Sequence, residues 1–166
     1  VLRKNTTETV IDVDSDTQKT IRSMSKGLII TGITGSGKTH CLYTIRAVVS
    51  KYEEKPSVSV VTNWVDFLFE LKEQMGKINR SLRDVINELV FPKYVFIDDL
   101  GAEKDTEWGQ EMLYLVINRI YLKEGVLFLT TNLSVEEMSA KYGDRIVDRL
   151  SELCVVVEMP DKNYRD

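Results

Sequence analysis

Short apolar runs alternate with helical patterns along most of this chain. The runs consist mainly of β-branched and aromatic residues, as do strands that are buried on both faces of a sheet. They lie at residues 27–31, 58–62, 94–98, 126–130 and 154–159. Strands that alternate with helices predict right-handed crossovers, and hence an α/β fold in which helices flank a mostly parallel sheet of five strands.

Apolar residues at spacings of three and four mark the helices, since this spacing places them on one helical face. Three such stripes occur between the strands: Trp64, Leu68, Leu71 and Met75; Leu82, Val85, Ile86, Leu89 and Val90; and Met112, Leu113, Val116, Ile117 and Ile120. Ser134 and Glu137 have the spacing of a capping box, which predicts a further helix after Ser134. Residues 17–26 predict a short helix before the first strand. We therefore expect a polar N-terminal segment at residues 1–26 and one α/β domain at residues 27–166.

The composition narrows the class of protein. Apolar residues make up 43% of the 166 residues and charged residues 29%, which is ordinary for a globular domain. The net charge of −4 argues against a surface that is basic all over, although a local basic groove is compatible with it. Two distant cysteines and a single histidine do not make a Cys/His metal framework. No apolar run approaches the roughly 20 residues of a membrane span, so we expect a cytoplasmic protein without a membrane partner.

The strongest chemical signal is the segment Gly-Ile-Thr-Gly-Ser-Gly-Lys-Thr at residues 32–39. It matches G-x-x-x-x-G-K-[ST], the Walker A pattern of a phosphate-binding P-loop, and it lies between a predicted strand and a helical stretch, as this loop requires. Glycines allow backbone N–H groups to curl toward phosphate oxygens, and the following helix adds the positive end of its dipole. A chance glycine-rich turn is the alternative interpretation.

This loop predicts a site for a nucleoside triphosphate, ATP, with Mg²⁺. Lys38 is expected to reach the β- and γ-phosphates, and the Thr39 hydroxyl is expected to be a Mg²⁺ ligand. The predicted nucleotide contacts are Gly32, Ile33, Thr34, Gly35, Ser36, Gly37, Lys38, Thr39 and His40.

A second motif is the apolar run Tyr-Val-Phe-Ile at residues 94–97, which is followed by Asp98 and Asp99. It resembles a Walker B element. Carboxylates at the end of a buried strand are costly unless they are used, which favours a functional role. We expect Asp98 to hold Mg²⁺, directly or through water, and Asp99 to polarise the attacking water, with Glu103 as an alternative for that role. The competing interpretation is that both aspartates cap a turn at residues 100–101.

Asn132 directly follows the fourth predicted strand. In P-loop ATPases with a strand inserted between the two Walker strands, a polar residue at this position senses the γ-phosphate and the attacking water. The alternative is an ordinary asparagine in a turn before a helix cap. We predict the sensor.

Taken together, these segments resemble the DnaC/DnaI helicase-loader family and its relative IstB, within the AAA+ ATPases. The resemblance is carried by residues 97–104, 106–108, 113–119, 130–133, 143–150 and 161–165. It implies an AAA+ core with strand order 5-1-4-3-2. It also implies ATP hydrolysis that loads a replicative DNA helicase onto single-stranded DNA, with a homo-oligomer forming when ATP is bound.

The resemblance assigns roles to three arginines. Arg149 falls on the position of the arginine finger, which reaches the nucleotide of a neighbouring subunit, and Arg145 lies one turn earlier on the same face. Arg165 is a candidate second sensor. The alternative for Arg145 and Arg149 is a solvated face paired with Asp144 and Asp148.

The resemblance also places single-strand contacts just after the Walker B segment, at Thr106 and Trp108. An indole ring can stack on any base, and a threonine hydroxyl can bond a phosphate. A basic groove for the backbone would come from Lys72, Lys77, Arg80 and Arg83. The alternative is that Trp108 packs in the core at the start of a helix and that the basic residues form a solvated face.

Three other functions compete with helicase loading. One is an IstB-like transposition helper, whose partners would be a transposase and duplex DNA. Another is a small-molecule P-loop kinase, although kinases lack both the Asn132 sensor and the segment at residues 143–150. The third is a nucleotide-gated binding module with negligible turnover.

Overall fold

The computed structural model describes residues 26–52, 57–75 and 81–164. The strands in these ranges are β1 (Gly27–Thr31), β2 (Val58–Asn63), β3 (Tyr94–Leu100), β4 (Val126–Thr131) and β5 (Cys154–Glu158). The helices are α1 (Lys38–Tyr52), α2 (Trp64–Gln74), α3 (Leu82–Val90), α4 (Glu107–Leu122), α5 (Val135–Tyr142) and α6 (Asp144–Leu153). All five predicted strands are therefore confirmed, whereas the short helix predicted at residues 17–26 lies outside the described residues apart from its last position.

The five strands form one parallel sheet in the order β2-β3-β4-β1-β5. Read from the other edge, this is the predicted order 5-1-4-3-2. In this order β1 and β3 lie on either side of β4. Because all strands run the same way, the loops that follow β1, β3 and β4 leave the same edge of the sheet, which is where ligands bind in open α/β sheets.

Helices cover both faces of the sheet. Successive residues of a strand point to opposite faces, so Val95 and Ile97 belong to one apolar cluster and Phe96 belongs to the other. The larger cluster lies under α2 to α6. The smaller one lies under α1 and includes a stacked pair, Phe96 and Phe128, with ring centroids 4.8 Å apart. This packing fixes the strand ends from which the site is built.

Side-chain caps set where several helices begin. Ser134 and Glu137 form the predicted capping box at the start of α5. The Thr106 hydroxyl accepts a hydrogen bond from the Gly109 N–H, 3.1 Å away, and so caps α4. Such caps typically contribute about 1 kcal/mol. Thr106 therefore has a structural role whether or not it contacts DNA.

Two further properties of the described part of the chain bear on function. None of its helices is both long enough and apolar enough to cross a membrane. Cys41 and Cys154 are unpaired thiols. Burial raises the pKa of the Cys154 thiol to about 12, which disfavours the reactive thiolate.

Candidate active site

The phosphate loop connects β1 to α1 through three glycines with unusual backbone angles. Gly32, Gly35 and Gly37 have φ values of 143°, 87° and 91°, a region that residues with side chains rarely adopt. The loop is closed by a hydrogen bond from the Ser36 N–H to the Ile33 carbonyl, 3.3 Å. The glycines of the Walker A pattern are thus required by the shape of the backbone.

Lys38 bends back over this loop. Its Nζ donates to the carbonyl oxygens of Gly32 and Ile33, each 2.7 Å away, and only 8% of the residue is exposed. A buried ammonium is costly unless polar partners surround it. The two carbonyls hold the charge in place at the start of α1, where an anionic phosphate would add a further partner.

The loop meets the end of β3 through Asp98. The Asp98 Oδ1 atom accepts hydrogen bonds from the hydroxyls of Thr39, 3.1 Å, and of Thr130, 2.6 Å. The two residues predicted to hold Mg²⁺, Thr39 and Asp98, are therefore in contact. Mg²⁺ prefers hard oxygen ligands and is usually held by one or two carboxylates together with substrate phosphates and water, so this pair fits the ion.

Asp99 occupies a strained position at the point where β3 and β4 lose their register. Its φ is 59°, which is uncommon for a residue with a side chain, and the strand pairing shifts between Ile97 and Leu100. The Asp99 N–H donates to the Thr130 hydroxyl, 2.8 Å. The Asn132 Nδ2 atom lies 3.5 Å from Asp99 Oδ1. Strained backbone of this kind concentrates at functional sites.

The predicted alternative, in which both aspartates cap the turn after β3, is not what the contacts show. The side chains of Asp98 and Asp99 contact residues of the phosphate loop and of the β4 end. The turn is held by the backbone of Asp99, whose carbonyl accepts from the Ala102 N–H, 3.4 Å, and by the Glu103 side chain, whose Oε2 accepts from the Gly101 N–H, 2.9 Å.

Glu103, considered above as an alternative to Asp99, makes side-chain contacts with residues of α5. Its buried carboxylate accepts a hydrogen bond from the Tyr142 hydroxyl, 2.5 Å, and forms an ion pair with Lys141, 3.2 Å. Lys141 also donates to the carbonyls of Gly101 and Glu103, 2.9 Å each. Burial, with the Glu103 carboxylate alongside, raises the pKa of Tyr142 far above its ordinary value. This network joins α5 to the loop after β3, so Glu103 stabilises the loop instead of standing beside Asp99.

In the described part of the chain, Arg149 on α6 makes its contacts with residues of α4 and of α6 itself. Arg149 packs with its guanidinium 4.0 Å from the ring centroid of Tyr121, and its Nη1 lies 3.8 Å from Glu152. The ion pair therefore involves Glu152, whereas the alternative interpretation paired the arginines of this face with Asp144 and Asp148. Arg145 is exposed on the same face. Arg165 lies outside the described residues.

The predicted DNA residues lie at the start of α4. Trp108 is partly buried and packs against the larger apolar cluster, and Lys72 Nζ lies 4.8 Å from its ring centroid. The indole is therefore both a packing residue and the neighbour of an exposed cation from α2. Arg83 is exposed. Lys77 and Arg80 lie outside the described residues.

Sequence reasoning missed Thr130. Its hydroxyl donates to Asp98 and accepts from the Asp99 N–H, so it fixes both acidic residues. Its position could have indicated this role, because Thr130 lies at the end of β4, the strand next to the one that carries the Walker B carboxylates.

Comparisons with known proteins identify the family and several relatives of this chain. A family model described as IstB-like ATP binding protein matches residues 14–166. The chain is 26% identical over 157 residues to the uncharacterised protein YqaM of Bacillus subtilis strain 168, covering 91% of this chain and 48% of that one. It is 24% identical over 153 residues to the replicative helicase loader DnaI of the same strain, covering 84% of this chain and 48% of DnaI. The chain thus spans about half the length of these two relatives.

Among solved structures, the crystal structure of the DnaC helicase loader superposes with a TM-score of 0.72 at 21% identity, covering 87% of this chain and 86% of that chain. This likeness confirms the predicted AAA+ P-loop fold with its five-stranded parallel sheet. The description of the family model agrees with the predicted ATP site. With the family model covering nearly the whole chain, this chain belongs to the IstB-like ATP-binding protein family.

Proposed function

We propose that this domain binds ATP with Mg²⁺ and hydrolyses it, and that hydrolysis in an ATP-dependent homo-oligomer serves to load a replicative helicase onto single-stranded DNA. The observation that carries the ATPase proposal is the meeting of three loops at one sheet edge. Thr39 touches Asp98, while Asp99 lies beside Asn132. Helicase loading is supported by the relatives named as loaders, DnaI and DnaC.

Each group in this arrangement has a distinct task. The loop N–H groups and Lys38 bind the phosphates, and Thr39 with Asp98 would hold Mg²⁺, whose charge offsets that of the phosphate oxygens when it is bound. Asp99 orients the attacking water and withdraws its proton. Asn132 contributes an amide that holds the water against the γ-phosphate. The chemistry is therefore mostly positioning and charge stabilisation, as in phosphoryl transfer generally.

Replacing Lys38 with alanine should weaken ATP binding by about 10- to 100-fold, because a charge-assisted hydrogen bond contributes roughly 1.5–3 kcal/mol. Titration of a fluorescent ATP analogue measures this affinity. Lys51→Ala is the matched control, since Lys51 lies exposed in the last turn of the same helix. Unchanged affinity in folded Lys38→Ala would remove the basis for the phosphate site.

A second candidate function, an IstB-like transposition helper, is favoured by the description of the matching family model. Steady-state ATP hydrolysis without DNA, with single-stranded DNA and with duplex DNA separates the two. A loader responds to single strands and a transposition helper to duplex. A nucleotide-gated binding module would bind ATP without turnover under every condition.

Trp108→Ala should weaken binding of fluorescent single-stranded DNA in the presence of MgATP by about 5- to 100-fold, because stacking contributes roughly 1–3 kcal/mol per base. Binding should also fall as salt rises, and Lys72→Ala should make that salt dependence shallower. Phe69→Ala serves as the control, since Phe69 is an exposed aromatic on α2. Because Trp108 also packs against the larger apolar cluster, the thermal stability of Trp108→Ala must be measured alongside the DNA titration. If a folded Trp108→Ala binds DNA as the parent does, the indole is structural only.

A further inference from the structure

The residues that follow β5 lie across the phosphate loop. The Met159 N–H donates to the Thr31 carbonyl, 2.8 Å, and extends the pairing with β1 up to the loop. The Tyr164 N–H donates to the Gly35 carbonyl, 3.0 Å. A methyl group on Gly35 would lie 2.1 Å from the Asn163 Oδ1 atom. We call residues 159–164 the post-β5 segment.

The contact with Asn163 is a second reason why position 35 favours glycine. Its φ of 87° already disfavours a side chain. A side chain there would also require the Asn163 side chain to move away from the loop. The loop and the post-β5 segment are therefore fitted to each other at Gly35.

The contact between Tyr164 and Gly35 also orients the Ser36 N–H. In a planar trans peptide the C=O and N–H point in opposite directions. A Gly35 carbonyl that accepts from Tyr164 therefore turns the Ser36 N–H away from the segment. That N–H donates to the Ile33 carbonyl, which also accepts from Lys38 Nζ at 2.7 Å. The Ser36 N–H and the Lys38 ammonium thus both donate to the Ile33 carbonyl oxygen.

We propose that the backbone of Tyr164, supported by Asn163, is a positioning element of the nucleotide site. It holds the peptide between Gly35 and Ser36 so that the Ser36 N–H, which donates to the Ile33 carbonyl over 3.3 Å, can pass to a phosphate oxygen when nucleotide binds. The inference rests on the proposed nucleotide site. Since the N–H groups of this loop cradle the α- and β-phosphates, loss of the contact should weaken ADP and ATP binding alike.

The ring of Tyr164 is separable from its N–H. The residue is 60% exposed, and its ring has Lys162 Nζ 5.0 Å from the centroid. Tyr164→Ala therefore keeps the N–H and loses only the ring. Tyr164→Pro removes the donor itself, because proline has no backbone N–H.

The test compares the affinities of the parent, Tyr164→Ala and Tyr164→Pro for fluorescent ADP and for a non-hydrolysable ATP analogue. Tyr164→Pro should bind both about 3- to 10-fold more weakly, the usual contribution of one hydrogen bond, and Tyr164→Ala should stay within about twofold of the parent. In steady state, Tyr164→Pro should raise KM and leave kcat unchanged. Two outcomes overturn the inference: no loss of affinity in Tyr164→Pro, or the same loss in Tyr164→Pro and Tyr164→Ala. A parent that binds neither nucleotide would instead overturn the proposed function.

Amide hydrogen exchange on the unmodified chain provides a readout without any substitution. The Tyr164 amide should be protected before nucleotide is added, and the Ser36 amide should gain protection when the ATP analogue binds. A Tyr164 amide that exchanges at the rate of an unstructured peptide overturns the inference even if Tyr164→Pro proves to be unfolded.

Discussion

Asp99→Asn is expected to slow ATP hydrolysis by about 10²- to 10⁴-fold, the usual contribution of a general base, while MgATP binding stays within about twofold of the parent. The amide keeps the size of the side chain and loses the capacity to take up a proton from water. Single-turnover hydrolysis and titration of a fluorescent ATP analogue measure the two quantities separately.

The backbone makes asparagine the right substitution at this position. Asp99 has a φ of 59°, and asparagine is among the few residues that tolerate this region. Asp99→Asn therefore changes the chemistry and preserves the loop, whereas Asp99→Ala would add backbone strain to any loss of catalysis. A defect in Asp99→Asn can accordingly be attributed to the carboxylate.

Asp98→Asn is the companion variant because the two carboxylates have different neighbours. Asp98 is bound by Thr39 and Thr130, whereas Asp99 faces Asn132. If Asp98 serves the metal, Asp98→Asn should abolish the dependence of ATP affinity on Mg²⁺, and Asp99→Asn should retain it. Undiminished hydrolysis by Asp99→Asn would contradict its role. The buried contacts of Glu103 with Lys141 and Tyr142 make that residue a poor replacement.

The parts of this site that could be predicted are those encoded by local pattern. Residues 32–39 combine fixed glycine spacing with a strand before and a helix after, so a single stretch of chain determines the loop. The strand order could not be predicted in this way, because no local pattern encodes which strands are neighbours. The predicted order came only from the family resemblance. The order then explains why Asn132, which is distant in sequence, lies beside Asp99.

What could not be predicted depends on register and on long-range packing. Thr130 reaches both aspartates because Ile97 pairs with Leu129 and the register then shifts, which cannot be read from a propensity. Glu103 was an alternative candidate for the general base because it is close to Asp99 in sequence. Its actual partners are contributed by α5, nearly 40 residues further along the chain.

Arg149→Ala is expected to lower assembly-dependent hydrolysis by about 10³- to 10⁵-fold and to leave ATP binding by the monomer unchanged. That loss corresponds to roughly 4–7 kcal/mol of transition-state stabilisation. In one chain the guanidinium lies over Tyr121. Leaving that ring costs only about 0.5–1 kcal/mol at a site where 35% of the arginine side chain is exposed. The intramolecular contact is therefore too weak to prevent a role in a neighbouring site.

Two variants separate this role from a contribution to stability. Arg145→Ala removes an exposed arginine one turn earlier on α6 and should retain most of the activity. Arg149→Lys keeps the charge but loses the planar fork that binds phosphate oxygens in pairs, so it should remain slow. Hydrolysis per chain, measured against protein concentration, should rise for the parent as it assembles and should stay flat for Arg149→Ala.

Mixing two inactive variants provides the decisive test of a shared site. If Arg149 is a finger, Lys38→Ala chains should bind nucleotide weakly but supply the finger, whereas Arg149→Ala chains should bind nucleotide and lack the finger. In an equimolar mixture about one interface in four pairs an intact loop with an intact finger, if assembly is head-to-tail. Activity should therefore recover to at most about a quarter of the parent rate, from variants that are each nearly inactive. Rates that scale linearly with concentration, together with no recovery on mixing, would restrict Arg149 to its contact with Tyr121.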